Sequence, residues 1–415
     1  MNKKLTALAV AGALAAPAAA FAQASNVQIY GRVNMGLDNY SATGATAGTA
    51  ADYKGRNRIY DAGSRLGFQG TEELGGGLKA IFLIESGVNV DSGGTTGQSG
   101  AANPFTGTLS SRIGYVGLQG NWGRLTFGKN NVWWANYPIE QTGANYIASG
   151  LASMYGLLGR GMNIGVSRVS NLVQYAAQAG GVTAILSYAP NGESRPAGAN
   201  TDGRLWGATV QGQWGPWGVG YDWVNKRGNT GTGIGGTQPS STGNKLRAGW
   251  TYASGSQISA IWTKVRQDNG GFGMMTAADA GLSLAQATGL TSLLLPDATA
   301  SSLSQTTFGL SWEHTFGNMQ ALAQWGKVSN ITGCAVAGSC NNTGATEWVL
   351  GLRYNMSKRT GVYFNYATIR NESNYNMDYV GGWMTSASFS GLVGLPPTSV
   401  GADPRLFGVG LMHNF

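Results

Sequence analysis

The 415 residues include two histidines, His314 and His413, and two cysteines, Cys334 and Cys340. Nucleophilic catalysis needs a Ser or Cys held beside a base, and a metal centre needs His, Cys or carboxylates at close spacing. His314 in "LSWEHTF" and His413 in "GLMHNF" both fall on the bulky, apolar parity of an alternating stretch. No His or acidic residue lies between or beside the cysteines of "CAVAGSC". A G-x-x-x-x-G-K-[ST] loop and a useful dinucleotide fingerprint are also missing. The sequence therefore asks for no cofactor, no metal and no enzyme activity.

Charge, in contrast, recurs in a pattern. Charged residues make up 11% of the chain, against about 25% in a typical soluble domain. Arg32 is opposite in parity to Val27, Ile29 and Val33. Arg65 alternates with Leu66 and Phe68, Arg112 with Ile113 and Tyr115, and Arg168 precedes Val169. Glu85 shares a parity with Lys79, while Phe82 and Ile84 take the other. On a lipid-facing wall an Arg or Lys at mid-depth costs about 2–4 kcal/mol, which turns these cations toward water. Parity then gives inward Arg32, Arg65, Arg112, Arg168, Arg247 and Arg353 against Asp38, Glu85, Glu313 and Glu347. The chemistry available is electrostatic: rings of Arg or Lys favour anions, and facing carboxylates oppose them. Because the arginines are dispersed over many strands rather than gathered in a run, nucleic acid is not expected as a partner.

The elements that carry these residues read as strands. Alternating segments begin with "VQIYGRVNMGLDNY" (Val27–Tyr40) and end with "PRLFGVGLMHNF", and about sixteen occur between and including these. Short turns such as "ELGG", "GNWG", "AGG" and "FGN" alternate with long connections at 41–62, 91–108, 131–165, 191–202, 228–242, 268–304, 330–344 and 372–403. That rhythm, with aromatics near strand ends, predicts an all-β, sixteen-stranded antiparallel up-and-down transmembrane β-barrel with short periplasmic turns and long extracellular loops. An even strand number returns Phe415 to the end where Val27 begins, so the termini can pair and no edge is left. A soluble sandwich also alternates, but it has no need of the long/short rhythm or of so many outward Trp and Tyr.

Three other segments carry expectations. Residues 1–22 have a basic start at Lys3 and Lys4, an apolar run and an Ala20-Phe21-Ala22 cleavage site, the pattern of a secretory signal peptide ahead of a barrel domain at 23–415. Removing it lowers the formal charge from +8 to +6. Export favours a disulfide between Cys334 and Cys340, in a Gly- and Asn-rich surface segment. The long connection 131–165 contains Trp, Tyr, Leu and Met, which suits folding inward against the wall, with Glu140 and Arg160 facing the wall arginines. The alternative for that segment is a surface subdomain with a short helix.

The stretches "VQIYGRVNMGL", "SRLGFQGTEELGGGLKAIFLIESG", "RIGYVGLQGNWGRLTFGK", "RVSNLVQY" and the ending "VGLMHNF" resemble the general diffusion porins of β-proteobacteria, the trimeric outer-membrane porins of the Burkholderia, Neisseria and Comamonas type. The resemblance covers essentially all of 23–415. It implies a third loop folded into the barrel, facing a ladder of basic wall residues at the narrowest point. Carried over by position, Arg65 and Arg112 belong to the ladder, Glu85 and Glu140 to the acidic side, and Arg168 begins the strand after the third loop. Phe415 becomes part of the terminal signature read by barrel-assembly machinery. Lys129 in "FGKNN" departs from the family's usual residues, and strict parity turns it outward with Leu125 and Phe127 unless a bulge follows Gly128.

The function expected is passive diffusion of small hydrophilic solutes and ions across a Gram-negative outer membrane, with modest anion preference. Expected partners are two further copies in a homotrimer, outer-membrane lipid and lipopolysaccharide. Two other readings stay open: a substrate-selective channel with aromatic rails, and a barrel serving mainly as adhesin or envelope anchor.

Overall fold

The computed structural model describes residues 26–61, 63–88, 90, 109–132, 168–190, 203–227, 240–268, 301–375, 377 and 399–415. The signal-peptide segment and the whole of 133–167, with Glu140 and Arg160, lie outside the described residues.

The first half of the chain forms β1 Asn26–Thr43, β2 Tyr53–Asp61, β3 Arg65–Gly75, β4 Leu78–Gly87, β5 Ile113–Gly120, β6 Gly123–Asn131, β7 Arg168–Ala179 and β8 Val182–Ala189. The second half forms β9 Leu205–Trp214, β10 Trp217–Arg227, β11 Ser240–Ala253, β12 Ser256–Asp268, β13 Ser302–Phe316, β14 Met319–Val328, β15 Ala345–Asn355, β16 Thr360–Asn371 and β17 Asp403–Asn414. Every pairing is antiparallel, and β1 closes the ring by pairing with β17 on one side and with β2 and β3 on the other. The seventeen segments make sixteen staves. The lower half of β1 pairs with β3 (Asn26↔Thr71 to Arg32↔Arg65), and its upper half pairs with β2 (Met35↔Asp61 to Ala42↔Tyr53). β2 and β3 are therefore one stave, broken where the Asp61 carboxylate accepts the Gly63 and Ser64 N–H groups. Closure satisfies the backbone within the sheet, as a lipid-embedded wall requires.

The first long connection differs from its expected 41–62. β1 runs on to Thr43 and β2 fills 53–61, so the tip is shorter, with a 3-10 turn at Thr49–Ala51. The polar 53–61 segment joins the wall through its ladder with β1, and Tyr40 packs on Tyr53 at its upper end with ring centroids 5.2 Å apart.

Along β9–β17 the expected faces hold. Trp348, Leu350, Leu352 and Tyr354 are exposed on the outside, while Glu347 and Val349, on the other parity, are buried. Trp312 is exposed and His314 stacks on it at 5.9 Å; His413 is exposed beside Leu411, so both histidines face outward. The inner face is less uniformly polar than alternation implied. Near the long-loop ends, Leu205, Val224, Val265, Leu303, Val328, Ile369 and Leu406 point inward and are buried, joined by Ile331, Tyr375 and Met377 from the connections. Cys334 and Cys340 are bonded to each other, with Cα atoms 5.8 Å apart, and pack on the edge of this apolar collar.

Candidate functional site

The inner wall of β1, β3, β4 and β5 carries one register row: Tyr30↔Gly67↔Glu85↔Ile113. The Tyr30 ring lies across Gly67, where a Cβ would run into it, and its hydroxyl donates to Glu85 Oε2 at 3.1 Å. Glu85 also accepts from Arg112 Nε at 2.6 Å, and Arg65 Nε stands 3.8 Å from its other oxygen. One carboxylate thus holds two guanidiniums against the wall and offsets their mutual repulsion. The cluster keeps net positive charge, since Arg stays ionised. The Glu85 side chain is 8% exposed, Arg112 12% and Arg65 24%, so Arg65 is the most exposed of the three. Arg32 faces Arg65 across the β1–β3 pair and donates from Nε to Asn414 Oδ1 at 2.9 Å, which ties this patch to the last strand.

Alternation alone misplaces part of this ladder. Ile113 is level with inward Glu85 and is buried, while Val116 and Leu118 are the exposed outer residues of β5. The expected outward Ile113 and Tyr115 are thereby corrected, and continued alternation would have turned Arg112 outside. Arg112 reaches Glu85 because it precedes the strand, in a bend that follows left-handed Ser110 (φ 63°). Ser111 Oγ accepts the Gly87 N–H and Ser86 Oγ accepts the Ser110 N–H, locking the bend to β4. Val169 is likewise inward and buried rather than outward. The register shifts between Gly128 and Asn130, opposite left-handed Asn171 (φ 55°), so parity changes within β7.

The same bulge decides the geometry of Lys129. Gly128 has φ 144°, open to glycine and strained for other residues, and a Cβ there would strike the Gly114 carbonyl. Lys129 Nζ donates to the Ser111 carbonyl at 2.8 Å, one residue from Arg112. Arg168 begins β7 opposite Asn131, within the electrostatic field of Arg112, Glu85 and Arg65. Each of Arg112, Lys129 and Arg168 is thus flanked by a backbone irregularity. Bulges re-aim side chains in this way. A sequence signal for the ladder exists in the recurring tripeptides Ser64-Arg65-Leu66, Ser111-Arg112-Ile113 and Ser167-Arg168-Val169.

A second constellation sits on β9–β11. Asp222 takes Arg247 Nε at 2.9 Å and Lys245 Nζ at 3.6 Å, with Thr209 donating to it at 2.6 Å. Arg247 also donates to Gln211 at 3.1 Å. Asp222 was absent from the expected inward carboxylates, although its register with Lys245 puts both on one face. Here too the cations outnumber the carboxylate. The side chains of Asp222, Lys245 and Arg247 are only 1% exposed, which makes this a wall brace rather than a contact point. Glu313 accepts from Gln320, and Tyr363 donates to Asn34 at 2.8 Å, further ties across the inner wall. Among the described residues no group of His, Cys, Asp and Glu could hold a metal ion.

The comparisons agree with this architecture. A family profile described as Gram-negative porin matches residues 6–374. The chain is 32% identical over 208 residues to the major outer membrane protein P.IB of Neisseria gonorrhoeae, covering 48% of this chain and 53% of that protein. It is 35% identical over 146 residues to the major outer membrane protein P.IA of Neisseria meningitidis serogroup B, covering 31% and 33% respectively. The chain spans about half the length of the curated relatives it matches. Among solved structures, the anion-selective porin from Comamonas acidovorans superposes with a TM-score of 0.66 at 20% identity, over 94% of this chain and all of that one. OmpT of Vibrio cholerae in a trimer form gives 0.57 at 13% identity, over 95% of this chain and 100% of that one, and these two likenesses bear on the fold.

Proposed function

The chain belongs to the Gram-negative porin family, and from that premise we propose that it forms a water-filled channel for passive diffusion of small hydrophilic solutes and ions, with modest preference for anions. The family places it in the Gram-negative outer membrane, and its members are channels rather than enzymes. The observation that carries the reading is the inner-wall pair Arg65 and Arg112 on the single carboxylate of Glu85. A narrow passage with low-dielectric walls focuses a field of one sign, and this patch supplies a positive one. The solute gradient drives transport and no cofactor is required.

The further reading of the site is that Arg32, Arg65, Arg112 and Arg168 form the basic side of the constriction and Glu85 sits among them, with Glu140 and Arg160 contributed by the third loop. A homotrimer is the proposed assembly, joined through the Gly-rich outer surface near β5 and β6. Barrel-assembly machinery is the proposed reader of Phe415, and lipopolysaccharide the proposed lipid neighbour. A second reading, a barrel closed at its mouth and used for adhesion, draws on the buried apolar collar. Purified protein in planar bilayers tests the proposal. Stepwise conductance rising with salt concentration is expected, and a closed barrel would insert without conducting.

A further inference from the structure

Below the ladder, toward the short turns, the inner wall of β4–β6 changes character. Counting down from Glu85, the inward positions of β4 are Leu83, Ile81 and Lys79, and opposite them on β5 stand Tyr115, Gly117 and Gln119. β6 places Thr126 beside Gly117 and Arg124 beside Gln119. Exposed Val116, Leu118 and Phe127 mark the outer parity of β5 and β6. Tyr115, Leu83, Ile81 and Arg124 are half-buried, so each keeps surface toward the passage. Gly117 has no side chain, and a Cβ there would strike the Leu125 carbonyl and Thr126. The wall of β5 is therefore bare between Tyr115 above and Gln119 below, whose α-carbons stand about 14 Å apart at about 3.4 Å per residue.

The charges around this stretch leave one cation uncommitted. Glu73 takes Lys79 at 2.6 Å. Arg124 makes no side-chain hydrogen bond or ion pair among the described residues, and neither does the Tyr115 hydroxyl. Tyr115 lies in the electrostatic field of Arg124, so ring and guanidinium face the same bare stretch. The row of Lys79, Gln119 and Arg124 lies about 20 Å below Glu85 along β4, well clear of the ladder. An Arg fork donates two parallel N–H bonds to a planar carboxylate, and an aromatic ring offers its edge or offset face to another ring. A small inorganic anion would use Arg124 and leave the apolar surfaces of Tyr115, Leu83 and Ile81 in water. An anion with a flat apolar body covers them, its ring over Gly117 and its carboxylate toward Arg124.

We propose that Tyr115, Leu83, Ile81 and Arg124 form a binding site for small aromatic carboxylates on the short-turn side of the ladder. The proposal rests on the channel reading and names a solute class for the same passage. The purified full chain in planar bilayers carries a KCl current while benzoate or acetate is added to both sides. Benzoate should interrupt the current at about tenfold lower concentration than acetate, the effect of covering about 60 Å² of apolar surface. Y115S should bring benzoate to the level of acetate, and Y115F, which keeps the ring, should retain the difference. R124Q should weaken block by both acids about fivefold, as loss of a half-exposed ion pair does. R65Q alters the ladder and should not move the benzoate-to-acetate ratio. Equal block by both acids in the intact protein, an unchanged ratio in Y115S, or a ratio that follows R65Q instead overturns the proposal. Dialysis of labelled benzoate and acetate against the folded chain in detergent reads the same ratio without a current. A protein that binds benzoate in this way and does not conduct sinks the channel reading alone.

Discussion

Gly31 and Phe415 exchange both of their backbone hydrogen bonds: Gly31 N–H donates to the Phe415 carbonyl at 3.0 Å, and Phe415 N–H to the Gly31 carbonyl at 3.1 Å. The Phe415 ring lies over Gly31 on the outer face, in the space a Cβ would occupy. The last residue is therefore the closing rung of the barrel. Deleting it frees two backbone groups near the membrane interface, at about 0.5–1.5 kcal/mol per hydrogen bond. Deletion of Phe415 and Gly31→Val should both lower the heat-modifiable folded band on detergent gels, because each removes the same contact from a different side. Normal folded yield for both would dismiss the rung.

Glu85 should act as a brake on anion preference as well as a brace. Glu85→Gln keeps the Tyr30 contact geometry and removes the charge shared by Arg112 and Arg65. Anion preference should rise, and stability should fall by about 1.5–3 kcal/mol, the worth of hydrogen bonds to charged groups. Reversal potential and urea unfolding measure the two effects, and a variant less anion-selective than the parent would contradict the placement of Glu85.

The bulge at Gly128 should matter through Lys129. Gly128→Ala places a Cβ against the Gly114 carbonyl at a backbone angle that L-residues avoid. The variant should perturb conductance in the same direction as Lys129→Ala, since both withdraw the ammonium from Ser111. If Lys129→Ala alone leaves conductance and selectivity unchanged, Lys129 is a structural clamp.

The Cys334–Cys340 clip closes a short loop whose sequence separation is 6. By the chain-entropy picture so small a ring is worth about 2–3 kcal/mol. The Cys334→Ser, Cys340→Ser double variant should retain the barrel and its conductance. Because both cysteines rest on the apolar collar, protease sensitivity should rise at 329–344 before any other described connection. A collapse of the folded band would show that the loop supports the wall.

Sequence and structure agree best where strands are regular. In β9–β17, alternation alone separates outward Trp348 and Leu350 from inward Glu347, because neither glycine bulges nor left-handed residues interrupt the period of two. Around the proposed ladder it fails for a physical reason: Ser110, Gly128 and Asn171 each break that period near Arg112, Lys129 and Arg168. Parity places Arg112 inside through the wrong neighbours, Ile113 and Tyr115, which themselves face inward, and the family resemblance adds only its place in the ladder. Asp222 was legible by alternation, since it stands between outward Tyr221 and Trp223 in β10, whereas the Tyr30–Glu85 bond depends on cross-strand register, which one strand's sequence does not encode. The first segment of the second stave, 53–61, reads as loop because its Lys and Arg residues mask the inward Tyr53 that packs on Tyr40.

The central claim is that Arg65 and Arg112 set the sign of the field in the passage. The most direct measurement is the reversal potential of the intact protein and of R65E/R112E in a salt gradient near 0.1 M, where the Debye length is about 10 Å. The intact pore should prefer anions, the preference should fade near 1 M as that length shrinks to about 3 Å, and the double variant should shift toward cations. A cation-selective intact pore, or a double variant with unchanged reversal potential, would contradict the account.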